Sequence, residues 1–124
     1  MINPIYIQVT TIADGSGNNT ATIPAFGLLH AVEWVDGDFA DGVDSVLSVT
    51  NTDSGVDSTL LTLTDANIDA WYYPRVALHD TAGAAVTYDG TRPIYGRFVV
   101  NGTLKLTVTS GGDTKTGGAV VYYE

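Results

Sequence analysis

Leu104-Lys105-Leu106-Thr107-Val108-Thr109 is the stretch that decides the fold. Leu104, Leu106 and Val108 fall on one phase of a two-residue period, and Lys105, Thr107 and Thr109 fall on the other. Successive side chains of an extended chain point to opposite faces, so this is a strand with one face in a core and one in water. The pattern recurs outward in both directions. Ile5, Ile7 and Val9 share a face in the first ten residues. Thr20–Ala25 alternates Ala21, Ile23 and Ala25 against Thr20 and Thr22. Leu28–Val35 reads as a third strand, with Leu28, His30, Val32 and Trp34 on one face. Val46–Thr50 and Leu60–Thr64 alternate around a turn at Asp53-Ser54-Gly55, and Ala119–Glu124 closes the chain as a strand. In that last strand alternation divides Tyr122 and Tyr123 between surface and core.

Between these runs lie turn residues. Asp14–Asn19, Asp36–Gly42 and the Gly-rich Ser110–Gly118 read as loops, with Ser110-Gly111-Gly112 as a hairpin loop. Asn101-Gly102 suits a tight turn or a bulge in a longer strand. Asp65–Ala70 suits one helical turn capped by Thr64 or Asp65. Tyr72–Gly96 is the least regular part, holding Pro74 and Pro93.

Composition agrees. Twelve of the fourteen acids are Asp, a turn former, while Glu, Lys and Arg together number only seven. The expected architecture is all-β, a β-sandwich or jelly-roll-like domain spanning 1–124, with about seven to nine short antiparallel strands. The 124 residues suit one domain large enough to fold without staples, and the absence of cysteine excludes disulfides and thiolate chemistry. Met1-Ile2-Asn3-Pro4 lacks the basic and apolar regions of a signal peptide, and no run approaches the roughly 18 apolar residues of a membrane helix. The expectation is a chain made in soluble form.

The net charge is 5 − 14 = −9, and it is unevenly spread. Residues 1–74 hold ten acids and no Lys or Arg; all five basic residues (Arg75, Arg92, Arg97, Lys105 and Lys115) follow, against four acids. An acidic chain is repelled by phosphate backbones and anionic membranes, which argues against nucleic-acid and membrane partners. The acidic excess suits solubility, or a face that meets a basic partner.

Chemistry-bearing patterns are sparse. Asp36, Asp38, Asp41 and Asp44 offer oxygens for Ca²⁺, but Ala40 and Asp41 fall where an EF-hand needs a ligand and a glycine, and no Glu ends the loop. The plain alternative is an Asp/Gly turn between strands. His30 and His79 are the only histidines, too few for a zinc site without several Asp. There is no Gly-x-Ser-x-Gly elbow, no phosphate loop, and Glu33 is the only internal Glu, turned outward beside Trp34. No catalytic residue, cofactor or metal is expected, and the chain reads as a binding or structural protein rather than an enzyme. Trp71-Tyr72-Tyr73-Pro74-Arg75, with His79 downstream, is the most interface-like stretch, because Trp, Tyr and Arg anchor protein contacts. Against it stands a purely structural reading in which Trp71 and one Tyr plug the end of the sandwich.

Four segments in order resemble the small virion proteins of tailed bacteriophages, of the capsid decoration (cement) type. They are Ala13–Asn18; Asp38–Asp44; Pro74-Arg75 with His79, Thr81–Ala85 and Tyr88; and Leu104–Val108 followed by Gly111–Gly117 and a final strand. The resemblance spans nearly the whole chain. It implies a β-sandwich subunit that binds the outer surface of the major capsid protein lattice, as a homo-oligomer with a trimer favoured, and that becomes part of the virion. It carries over no catalytic residues. The rival expectation is a carbohydrate- or receptor-binding module of a phage head fibre or tail component. That role needs exposed coplanar aromatics from Trp34, Trp71, Tyr72 or Tyr73.

Overall fold

A computed structural model describes residues 1–24 and 26–124. Ala25, which the alternation places in the second strand, lies outside the described residues. The fold is all-β and sandwich-like. Its strands are β1 (Asn3–Thr10), β2 (Gly17–Thr22), β3 (Gly27–Val35), β4 (Asp44–Asn51), β5 (Asp57–Leu63), β6 (Ala70–Tyr72), β7 (Val76–Ala77), β8 (Tyr95–Gly96), β9 (Val99–Val100), β10 (Gly102–Thr109) and β11 (Thr116–Tyr123). The count exceeds the expected seven to nine because four of these strands have only two or three residues. Among the described residues there is no helix, and so none long and apolar enough to cross a membrane.

One sheet runs β1-β11-β3-β6, with β9 pairing the start of β3, and the other runs β2-β10-β4-β5. All pairings are antiparallel. In the first sheet Ile5, Val121, Val32 and Tyr72 are cross-strand neighbours, as are Ile7, Ala119, Trp34 and Ala70. These rows face the core. Leu104, Leu106, Val108, Leu47 and Val49 meet them from the second sheet, all buried. Each such side chain contributes roughly 1.5–3 kcal/mol by leaving water. Along one side, Asn19 of β2 donates its Nδ2 to the Gln8 carbonyl of β1 at 2.8 Å, which bridges the edges of the two sheets.

Every chain crossing between the two sheets at one end is tied to its neighbours. Thr11, buried, donates Oγ1 to the Gly112 carbonyl at 2.6 Å and accepts from the Lys115 N–H at 2.9 Å. Gly111 N–H donates to the Gly15 carbonyl, and Ala40 N–H to the Gly111 carbonyl. Ser110–Gly112 is therefore not the hairpin loop its composition suggests. β10 and β11 lie in different sheets, and the loop carries the chain across.

Three further expectations are corrected. Asp65–Ala70 forms no helical turn. Asp65 takes a left-handed φ of 52°, and the backbone groups a helix would use are bound at long range. Asp65 N–H donates to Asp44 Oδ1, Ala66 N–H to the Val43 carbonyl, and the Ala66 carbonyl accepts from Trp34 Nε1 at 2.9 Å. In β3, Tyr122 pairs with Ala31 but Tyr123 pairs with Leu29, so His30 is the extra residue of a bulge. The inward phase shifts there, which buries Leu29 and leaves Leu28 exposed, off the Val32–Trp34 face. Finally, Asn101-Gly102 is no hairpin turn. It is the corner where the chain leaves β9, on the first sheet, for β10, in the second. Gly102 has φ 128°, and a Cβ there would lie 2.2 Å from the Thr50 carbonyl oxygen, so only glycine fits.

Candidate functional site

The two outer faces of the sandwich differ in kind. On the β2-β10-β4-β5 sheet the outward row at Lys105 pairs it with Thr20 and Ser48, and the row at Thr103 pairs it with Thr22 and Thr50. Apart from Val46, 38% exposed in the row of Thr107 and Thr62, that face is polar and solvated. On the β1-β11-β3-β6 sheet the outward row is Tyr6, Val120, Glu33 and Trp71, with Pro4, Tyr122 and Ala31 in the next. Tyr6 is 49% exposed and Trp71 50%. Trp71 stacks on Tyr122 with ring centroids 5.1 Å apart. Glu33 is the only charged side chain in these two rows.

The six residues singled out in sequence divide along this geometry. Trp71 lies on the aromatic face. Tyr72 alternates inward beside Val32 and packs against the core. Tyr73 is exposed and Pro74 half-buried. Arg75 donates Nη1 to the His30 carbonyl at 3.2 Å and to the Pro74 carbonyl at 2.8 Å, which pins the following segment to the bulge of β3. His79 is exposed, well along that segment. Trp34, considered among surface aromatics, is 1% exposed. It stacks on Phe39, with centroids 5.7 Å apart, beneath the crossing loops. Of the four aromatics from which the sugar-binding reading would draw its face, Trp34 and Tyr72 face the core.

The irregular region after Tyr72 is an arm with its own order. β7 pairs with β8 at its base, and His79 bridges Ala85 while Thr87 bridges Pro93. Three residues eight apart close a ring of backbone hydrogen bonds. Leu78 N–H donates to the Ile94 carbonyl (2.9 Å), Ile94 N–H to the Val86 carbonyl (3.0 Å), and Val86 N–H to the Leu78 carbonyl (2.9 Å). The two turns between them are built on aspartates. Asp80 Oδ1 accepts from the Ala82 and Ala84 N–H groups, and Asp89 Oδ1 from those of Thr91 and Arg92. Those bonds hold the Asp89 carboxyl below the usual carboxylate range, with Arg92 N–H the leading cause. The Arg92 guanidinium also pairs with Asp89 and lies 5.1 Å from the Tyr88 ring centroid. At the root of the arm, Arg97 pairs with Glu124 and lowers its pKa through that hydrogen bond.

No residue from Val76 to Val99 is buried. Leu78, Tyr88, Ile94 and Tyr95 are all exposed, Tyr88 to 62%. The arm is held by backbone and Asp turns, without a core of its own. Sequence reading missed it because its strands are two residues long. The aromatic face was also missed, although Tyr6 and Tyr122 stand on the outward phase of their strands, where a polar residue is the norm.

The aspartate loop is structural in its details. Asp38 Oδ1 accepts from Thr116 N–H at 2.6 Å, Asp44 Oδ1 from Asp65 N–H at 3.0 Å, and Asp69 Oδ1 from Asp36 N–H at 2.8 Å. Asp36 Oδ1 is buried without a partner. That burial, with Asp69, Asp41 and Asp38 nearby, pushes its carboxyl above the usual range. Among the described residues no three His, Cys, Asp or Glu side chains are grouped to hold a metal ion, and no cavity is found. Comparison with family models, with curated proteins and with solved structures finds no match for this chain.

Proposed function

We propose that this chain is an assembly protein, acting by contact rather than by chemistry, and specifically a bacteriophage capsid decoration protein. In this reading it binds the outer surface of the major capsid protein lattice as a homo-oligomer, a trimer for preference, and braces the head as part of the virion. The observation that carries the reading is the asymmetry of the sandwich. One outer face and the adjoining arm present aromatic and aliphatic side chains to solvent, while the opposite face is Thr- and Ser-rich. Exposed aromatic side chains gathered on one face suit a protein contact. A lattice offers each contact many times, so modest single affinities suffice. The ordered segments that resemble phage decoration proteins supply the particular partner. The sugar-binding alternative is weakened by the inward Trp34 and Tyr72 and by Tyr122 covering one face of Trp71.

The test is co-sedimentation of the purified chain with expanded capsids that lack it. The wild type saturates at a whole-number ratio to the coat protein. Arg75→Glu places a carboxylate against the His30 and Pro74 carbonyl oxygens and releases the arm root. It lowers affinity by about tenfold or more, about 1.4 kcal/mol, with an unchanged circular dichroism spectrum. Wild-type protein that stays in the supernatant overturns the capsid reading. Unchanged occupancy by Arg75→Glu removes the Trp71–Arg75 segment from the contact.

A further inference from the structure

The arm and the sandwich are held by different forces. The sandwich closes over a core that includes Trp34, Leu47, Leu104 and Val121, whereas no residue from Val76 to Val99 is buried. A segment with few buried contacts and exposed backbone hydrogen bonds opens locally, at a fraction of the global unfolding free energy. What orders the arm is its ring of backbone bonds and three carboxylates. Asp80 Oδ1 fixes the turn before Val86 by accepting from the Ala82 and Ala84 N–H groups at 2.9 and 3.0 Å. Asp89 Oδ1 fixes the turn before Ile94 by accepting from those of Thr91 and Arg92 at 3.0 and 2.6 Å, and its Oδ2 takes the Arg92 guanidinium. Glu124 takes the Arg97 guanidinium at the root. Val76 pairs with Gly96, which sets Arg75 and Arg97 at the next position on facing chains. Two like charges placed so repel. Arg75 is bound only by carbonyl oxygens, so Glu124 is the anion that offsets the pair.

We propose that the arm is an acid-released latch: a separate cooperative unit, ordered while Asp80, Asp89 and Glu124 are ionised, that opens from a still-folded sandwich when they take up protons. A neutral carboxyl accepts weaker hydrogen bonds and leaves its guanidinium uncompensated. The other titratable or charged groups at these carboxylates are Arg92 at Asp89, His79 beside Asp80 in the chain, and Arg97, His30 and the Met1 amino group about Glu124. Asp89 and Glu124 have folded values below the ordinary ones, so their stabilisation is full above the unfolded value and is lost as pH falls through the lowered one. The sandwich also uses carboxylates, with Asp38, Asp44 and Asp69 each accepting from a backbone N–H. It has a buried core to hold it when they are neutral, and the arm has none, so the arm opens first. The latch needs neither a capsid nor a second copy.

The experiment is amide hydrogen exchange on the full-length chain at about pH 7, 5 and 2.5, each corrected for the intrinsic exchange rate. The Leu78, Val86 and Ile94 amides, which close the ring, are protected at the first two values and lose protection by about tenfold or more at the third. The amides of β10 change by less than about threefold over the same range. Asp80→Asn combined with Asp89→Asn leaves an oxygen in each turn that accepts the same N–H groups but does not titrate. In that variant the arm stays protected at neutral pH and most of the acid step disappears. An arm protected equally at all three values overturns the proposal, as does one already open at neutral pH. Loss of protection in the arm and β10 together makes them one unit and overturns it too. A step between the two higher values, where a histidine takes its proton, or a full acid step in the Asn variant, removes the turn carboxylates from the latch.

Discussion

Replacing Trp34 by Phe tests how the crossing loops are held. The indole is 1% exposed and joins two loops to the core. Phe39, from the loop after β3, stacks on its ring, and its Nε1–H is donated to the Ala66 carbonyl in the loop after β5. Phe keeps an aromatic ring for Phe39 but removes the donor. A buried carbonyl left without its partner costs about 1–3 kcal/mol, and the space left by the smaller ring costs about 1 kcal/mol more. The expected loss is about 3 kcal/mol, a large share of the 5–15 kcal/mol typical of a domain. With an unfolding entropy of about 0.26 kcal/mol/K for a chain of this length, the melting temperature falls by about 11 °C. Urea unfolding followed by far-ultraviolet circular dichroism measures the loss without relying on tryptophan emission. Wild type and variant are compared at one protein concentration, since association adds to apparent stability. Amide exchange at Asp65–Asp69 should rise further than elsewhere. A loss under about 1 kcal/mol would refute the claim that the indole anchors these loops.

Two other substitutions probe separate parts of the account. Gly102→Ala puts a Cβ against the Thr50 carbonyl oxygen at a positive φ, where neither backbone can yield. It should cost about 2 kcal/mol or more in the same unfolding assay, and a neutral result would mean the sheet-switching corner is misplaced. Asp36→Asn removes a carboxylate whose folded pKa is raised by burial and by Asp69, Asp41 and Asp38. The folded state then binds that proton more tightly than the unfolded chain, so wild-type stability falls as pH rises through the unfolded and then the folded value. The Asn variant should be the more stable at neutral pH. The gap should shrink as pH falls through the raised value, and a gap that widens on acidification would contradict the assignment. Asp14, Asp89 and Glu124 act in the opposite sense, since their lowered values give stability that is lost as pH falls through them.

Much of this architecture was legible in the alternation of single strands. Ile5, Ile7 and Val9 face the core as their spacing requires, and so do Leu104, Leu106 and Val108. Tyr123 is buried and Tyr122 turns outward. The misreadings share one physical cause, which is that a local pattern cannot see a distant partner. The bulge at His30 exists because of how β11 pairs with β3, and it moves the inward phase from Leu28 to Leu29. The Asp65–Ala70 segment has capping residues suited to a helix, but Asp44, Val43 and Trp34 claim its backbone groups. Ser110–Gly112 and Asn101-Gly102 have hairpin composition, yet both carry the chain from one sheet to the other. The candidate stretch Trp71–Arg75 lies where surface meets core and so divides, with Tyr72 inward. Tyr6 and Tyr122, which share the outward face with Trp71, lie 65 and 51 residues from it in sequence, and only the register brings them into one face.

The central claim is that this chain is a lattice-wide component of a phage head. The most direct measurement is its copy number in purified virions, by quantitative mass spectrometry against the major coat protein. The account predicts a simple whole-number ratio to the coat. A handful of copies per particle would place the chain in a fibre, tail or vertex instead, and its absence from the particle would contradict the decoration reading altogether.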